Sequence, residues 1–174
     1  GSSAVIRRES SNDAHDPIMN VLDSVSPDGS TPTDVAIQEM RTSTTVNNAP
    51  GGAAGILITD GSPTPWSRRD DTLRQACLHR STAPLYVVGF GGGTDKGFND
   101  AVAAAGGTGS CSSGGDPCSS GPNQYDPSYW DGRCTGSYQA NNSAALQVAL
   151  TGIANQVSCT FSLDTLSNAV GHPW

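Results

Sequence analysis

The most informative segment of the sequence is Gly55-Ile56-Leu57-Ile58-Thr59-Asp60-Gly61. Three aliphatic residues in a row predict a strand that is buried on both faces, as in a parallel sheet. The apolar run stops at Thr59, which places the Asp60 carboxylate at the carboxyl end of a central strand, where open α/β sheets bind their ligands. The alternative is that Asp60 only begins a turn or caps the next helix. The segment therefore predicts an α/β fold with a candidate ligand site at Asp60.

A second polar loop lies upstream, Asp28-Gly29-Ser30-Thr31-Pro32-Thr33-Asp34, and an apolar-periodic segment follows it. Together with the Asp60 strand, this loop resembles the von Willebrand factor type A family, which includes the inserted domains of integrins. The resemblance implies a Rossmann-like, mostly parallel sheet flanked by helices. It also implies a metal-ion-dependent adhesion site in which Thr31 and Asp60 bind one divalent cation. A hydroxyl and a carboxylate suit Mg2+, or Mn2+ or Ca2+ in its place.

The family's first metal-binding element, Asp-x-Ser-x-Ser, does not occur in the 174 residues. The resemblance therefore implies a domain at residues 1–164 that is incomplete at its N-terminus, with a tail at 165–174. In the family fold the absent first strand lies beside the Asp60 strand, whose apolar edge would otherwise be open and prone to aggregation. We expect the missing N-terminal segment, or a second copy of this chain, to pair along Ile56, Leu57 and Ile58.

Composition excludes two classes of partner. Charged residues make up 14% of the chain, and the net charge is −7. Because no basic stripe is present, nucleic acid and anionic membranes are not expected to bind. No apolar run approaches the roughly 18 residues of a membrane-spanning helix.

Five cysteines indicate an oxidising location, so we expect an extracellular, cell-surface or periplasmic protein. Cys111 and Cys134 stand near the two ends of a Gly-, Ser- and Pro-rich insertion at about 109–137, where a disulfide would close the neck. Cys118 lies between them. Cys77 and Cys159 lie on predicted regular elements, where they could pair or stay buried as small hydrophobes. A zinc site is the alternative, although the Cys-x2-Cys spacing of such sites is missing.

Periodicity and turn residues predict further elements. They predict a short strand at 4–8, a helix after Asp13 or Asp16, helices at about 33–45 and after Asp70 and Asp71, and a second buried strand at 84–91. The segment 97–108 resembles the next helix of the family. Ser143 is predicted to cap a helix at 144–157, and the alternating residues 159–164 are predicted to form a strand. The family topology places the insertion before the last core strand, at the edge of the sheet opposite the metal.

The residues favour a binding module over an enzyme. No Gly-x-Ser-x-Gly elbow accompanies the three histidines, and a metal hydrolase would need more His and carboxylate ligands. The resemblance implies that the bound Mg2+ keeps an open position, which a carboxylate of a partner protein would fill. The rim of this contact would include Ser62, Thr64, Trp66 and Thr94, although Trp66 could equally cover the core. A metal-free structural scaffold is the alternative, because Thr31 and Asp60 alone are few ligands.

Overall fold

The structure is a computed structural model that describes residues 31–48, 53–63 and 65–169, without the side chains of Thr45, Ser113 and residues 158–169. The strand expected at 4–8, the helix expected after Asp13 or Asp16 and the loop residues 28–30 lie outside the described residues. Thr64 and the end of the predicted tail, residues 170–174, also lie outside them.

Three parallel strands form the central sheet. β1 (Gly55–Thr59) pairs with β2 (Leu85–Phe90), and β2 pairs on its other side with β5 (Tyr138–Ala140). Parallel neighbours need a long crossover connection, which helices supply here. The three-stranded parallel sheet with flanking helices confirms the predicted α/β class, and β1 and β2 confirm the positions of the two predicted strands.

Helices cover one face of the sheet. They are α1 (Thr33–Thr42), with the short α2 (Thr44–Asn47) after it, α3 (Arg69–Arg80) and α4 (Lys96–Ala105). α1 packs on α3, α3 on α4, and α4 on β2. The core between them joins side chains of the strands to side chains of the helices, namely Leu57, Leu85, Val87, Ile37, Leu73 and Phe98.

One long helix, α6 (Ser143–Ala169), packs against β5 and β2 on the opposite face. The Asn142 carboxamide oxygen accepts a hydrogen bond from the Ala145 amide at 2.9 Å, so Asn142 caps this helix rather than the predicted Ser143. The strand predicted at 159–164 is wrong, because the helix continues through it; no glycine or proline stands between Gly152 and Gly171 to end it. None of the described helices has the length and apolar character needed to cross a membrane.

The prediction that the Asp60 strand is buried on both faces is also wrong for the described residues. Leu57 is buried, but Ile56 and Ile58 are 41% and 48% exposed. Their register partners in β2 are Tyr86 and Val88, which lie under α6. α6 packs on β2 and β5, so the same face of β1 stays open in the described part of the chain.

The predicted insertion forms a small subdomain beside α3 and α4. Its neck is the antiparallel pair β3 (Ser110–Cys111) and β4 (Cys134–Thr135), and a disulfide joins Cys111 to Cys134 as predicted. A second disulfide joins Cys118 to Cys77 of α3. The alternatives of a zinc site and of a Cys77–Cys159 pair are therefore wrong; the Cys159 side chain lies outside the described residues.

The aromatic residues of the insertion extend the main core. A one-turn helix, α5 (Pro127–Trp130), carries Trp130, which is 7% exposed and donates its indole N–H to the Asn123 carbonyl at 2.7 Å. Tyr129 and Tyr125 pack against the same core. The insertion therefore shares one core with the sheet and its helices.

Candidate functional site

The carboxyl end of β1 presents Asp60 to solvent. The Thr59 hydroxyl is buried and holds the turn that follows, because it donates to the Gly61 carbonyl at 2.9 Å and accepts from the Gly61 amide at 3.4 Å. Asp60 itself is exposed, and its carboxylate makes no hydrogen bond or ion pair with any other described residue. A carboxylate in this state is available to a ligand.

The start of α1 lies at the same end of the sheet. The Asp34 carboxylate in the first turn of α1 is 3.4 Å from Arg68, which belongs to a 3-10 turn (Trp66–Arg68) in the loop after β1. This ion pair joins the first turn of α1, which follows Thr31, to the segment between Asp60 and α3. The Thr31 carbonyl accepts a hydrogen bond from the Thr33 amide at 2.8 Å, and the Thr31 hydroxyl has no hydrogen-bond partner among the described residues.

The expected rim residues have three different settings. Trp66 is 64% exposed, so it does not cover the core. The Ser62 hydroxyl donates to Asp95 at 3.1 Å, and the Thr94 hydroxyl donates to the Gln139 carboxamide oxygen at 2.7 Å. Thr64 lies outside the described residues. Gly91, at the end of β2, has φ +97, a conformation that favours glycine and allows the chain to turn into the Thr94 loop.

Arg69, a residue that the sequence did not single out, organises this end of the fold. It is 5% exposed, and its guanidinium carbon lies 4.1 Å from the ring centroid of Trp66 and 4.0 Å from that of Phe98. One guanidinium nitrogen is 2.8 Å from an Asp95 carboxylate oxygen and 3.5 Å from an oxygen of Asp131. Stacking between two rings and pairing with two acids fixes Arg69, and with it the end of the Asp60 loop.

Asp131 belongs to the insertion, and its contact with Arg69 bears on the expected position of the insertion at the edge of the sheet opposite the metal. The neck of the insertion lies before β5, as the family topology implies, but the far part extends back along α4 to the first residue of α3. The prediction that the whole insertion stays at the edge opposite Asp60 is therefore wrong. Its one-turn helix α5 packs against α3 and α4, which carries Asp131 to Arg69.

The candidate metal ligands among the described residues are oxygen atoms, and they do not form a complete coordination shell. No group of three or more His, Cys, Asp or Glu side chains in the described ranges is placed to hold a metal ion. The Asp60 carboxylate and the Thr31 hydroxyl, neither with a partner in the described part of the chain, nevertheless fit a hard cation such as Mg2+, which takes few protein ligands and keeps several waters. The buried Asp34 carboxylate adds an oxygen without a hydrogen-bond partner among the described residues, three positions after Thr31.

Comparison with known proteins found no match: no protein-family model, no curated protein and no solved structure matches this chain. Its own residues and fold therefore carry the functional assignment.

Proposed function

We propose that this chain carries a von Willebrand factor A-like domain that binds a partner protein through a divalent cation. The observation that carries the proposal is the exposed Asp60 carboxylate at the carboxyl end of β1, which has no hydrogen-bond or ion-pair partner among the described residues. The Asp34–Arg68 ion pair joins the start of α1, just after Thr31, to the loop that follows Asp60. Thr31 and Asp60 would hold Mg2+, Mn2+ or Ca2+ together with water. The bound cation would supply positive charge and an open coordination position for a carboxylate of the partner.

The surrounding loops support a contact of this kind. Trp66 offers a large exposed ring that is already held by Arg69, so little conformational entropy is lost when a partner covers it. Ordered exposed aromatic side chains are frequent anchors of protein interfaces. Ser62 and Thr94 are held by hydrogen bonds on the neighbouring loops. The proposed rim is therefore largely formed before the partner binds.

Calorimetric titration with Mg2+ and with Mn2+ tests the proposal. We expect the unmodified protein to bind in the low millimolar range or tighter, and Asp60→Asn to weaken binding by at least about tenfold, because it removes the ligand charge. Asp70→Asn is the matched control, since Asp70 is an exposed acid in the first turn of α3 and should leave the affinity unchanged.

The alternative is a metal-free structural scaffold, in which Thr31 and Asp60 only close turns. No heat from the unmodified protein with either cation would reject the metal-dependent function and support the scaffold. Equal losses in Asp60→Asn and Asp70→Asn would mean that the cation is attracted by the general negative charge and not by a site.

A second contact is proposed at the open edge of β1. Among the described residues β1 has one neighbouring strand, β2, and the Ile56 and Ile58 side chains are exposed beside it. A strand from another segment, or from a second copy of this chain, would pair with that edge. Two disulfides support the proposed extracellular, cell-surface or periplasmic location.

A further inference from the structure

The insertion holds α3 at three points along its length. Asp131 pairs with Arg69 at the first residue of the helix, and Asp116 pairs with Arg80 at the last residue, 3.1 Å apart. Between these two ion pairs, the disulfide between Cys118 and Cys77 joins the insertion to α3. Of these contacts, the one at Arg69 meets the loop that carries Asp60.

Arg69 transmits the position of Asp131 to that loop. Its guanidinium group lies against the Trp66 ring and shares the Asp95 carboxylate with the Ser62 hydroxyl. Both Trp66 and Ser62 belong to the segment between Asp60 and α3. Because Arg69 is buried, a change in its ion pairs must move the groups packed against it or leave a buried charge less well paired.

Gly97 shows that the chain makes room for Asp131 at the start of α4. A side-chain carbon at Gly97 would overlap the Asp131 carboxylate and would lie 3.0 Å from the Gly132 amide nitrogen. Asp95, two residues earlier, caps α4 by accepting from the Phe98 amide at 3.1 Å. The insertion, the start of α4 and the Asp60 loop therefore meet around one arginine.

We propose that Asp131 is a positioning residue for Ser62 and Trp66 in the segment after Asp60, and that the disulfide-closed insertion thereby belongs to the candidate site. The effect on metal binding rests on the proposed function, whereas the effect on the loop does not. The Asp131 carboxylate keeps Arg69 in place, and Arg69 keeps Trp66 and Ser62 in the arrangement that a partner meets.

The test compares Asp131→Asn with Asp116→Asn in the full chain. Both variants remove one acid of the insertion that pairs with an arginine of α3, but only the first pair adjoins the Asp60 loop. Trp66 reports the loop: each protein is also made with Trp66→Phe, and the difference isolates its acrylamide quenching from that of Trp130 and Trp174. Mn2+ affinity is measured in parallel by calorimetry.

We expect Asp131→Asn to raise the quenching of Trp66 and to weaken Mn2+ binding by about two- to fivefold, the range for one partly exposed ion pair. Asp116→Asn should change neither quantity. Gly97→Ala, which displaces the Asp131 carboxylate without removing it, should reproduce the quenching change and keeps the test valid if one variant folds poorly.

Unchanged Trp66 quenching in both Asp131→Asn and Gly97→Ala would overturn the proposal. Equal changes in Asp116→Asn would overturn it as well, because the insertion would then act through the general stability of α3. If the unmodified protein binds no cation, the proposed function fails, and the Trp66 measurement still decides whether Asp131 positions the loop.

Discussion

His79 is a buried histidine in an unfavourable setting for a positive charge. Its side chain is fully buried on α3, and neither ring nitrogen has a hydrogen-bond partner among the described residues. It packs so closely on β1 that a side-chain carbon at Gly55 would lie 2.6 Å from its Nε2 atom. Burial, and after it the positive charge of Arg41, lower the pKa of His79 below its usual 6.5.

This setting predicts a loss of stability in mild acid. Below about pH 6.5 the unfolded chain binds a proton at His79 that the folded chain does not bind, so the stability falls as the pH falls toward the lowered folded pKa. Between pH 7.5 and 5.5 the free energy of unfolding should drop by up to about 1.4 kcal/mol through this group. Urea unfolding at both pH values measures the drop.

His79→Leu is the control for this prediction, since leucine keeps an apolar side chain in the site and cannot titrate. The pH-dependent difference between the two proteins should follow the protonation of one group. An equal drop in both proteins would show that His79 takes up its proton equally in the folded and unfolded states, contrary to its burial.

Single residues were predictable where the signal is local. The end of the apolar run predicted that Asp60 directly follows β1, and the two ends of a polar segment indicated the Cys111–Cys134 disulfide. The role of Asp60 as a ligand stays a prediction. Arg69 was not predictable, because its partners Asp95 and Asp131 lie 26 and 62 residues away and no spacing links them. Only Asp95 had a local signal, as an acid at the start of a helical pattern.

At the level of the element, β1 offers an internal test of its open edge. The Gly55 amide donates to the Pro84 carbonyl at 2.8 Å, so it faces β2. Because the hydrogen-bonding direction alternates along a strand, the Leu57 amide also faces β2, whereas the Ile56 and Ile58 amides face away. If another strand pairs at this edge, all three amides should be protected from hydrogen exchange.

Leu57 serves as the reference for the exchange experiment, because β2 protects it in either case. Exchange of Ile56 and Ile58 at least about a hundredfold faster than that of Leu57, in a monodisperse monomer, would exclude the strand-pairing contact. Protection that decreases on dilution would instead identify a second copy as the partner.

Elements were predictable where periodicity had one explanation. α1, α3 and β2 each combine a clear pattern with a turn residue at the end, and the structure has all three close to the expected positions. α4 was expected from the family resemblance, and it also lies close to its expected position. The prediction of a strand at 159–164 was wrong because a short alternation of polar and apolar residues is compatible with either a strand or a helix surface. These residues are helical because they lie inside the long helix α6, whose sequence has no internal stop signal.

For the molecule as a whole, the insertion and the α/β body should unfold together. Trp130 and Cys134 of the insertion lie in the same buried cluster as Leu73 of α3 and Phe98 of α4. The two disulfides interlock along the chain, because Cys118 lies between Cys111 and Cys134 while its partner Cys77 lies outside them. A loop with its own separate core would have no such contacts and could open alone.

Removal of the Cys77–Cys118 disulfide, which joins α3 to the insertion, tests this cooperativity. Cys77→Ser combined with Cys118→Ser opens a link between residues 41 positions apart, which should lower the free energy of unfolding by about 3–4 kcal/mol. Urea unfolding followed by far-ultraviolet circular dichroism and by tryptophan fluorescence should still give one coincident transition, because Trp130 remains in the shared core. A fluorescence transition at lower urea than the dichroism transition would show that the insertion opens independently. In that case Asp131 would lose Arg69 before the sheet unfolds, and the loop of Asp60 would depend on the disulfide rather than on the packed core.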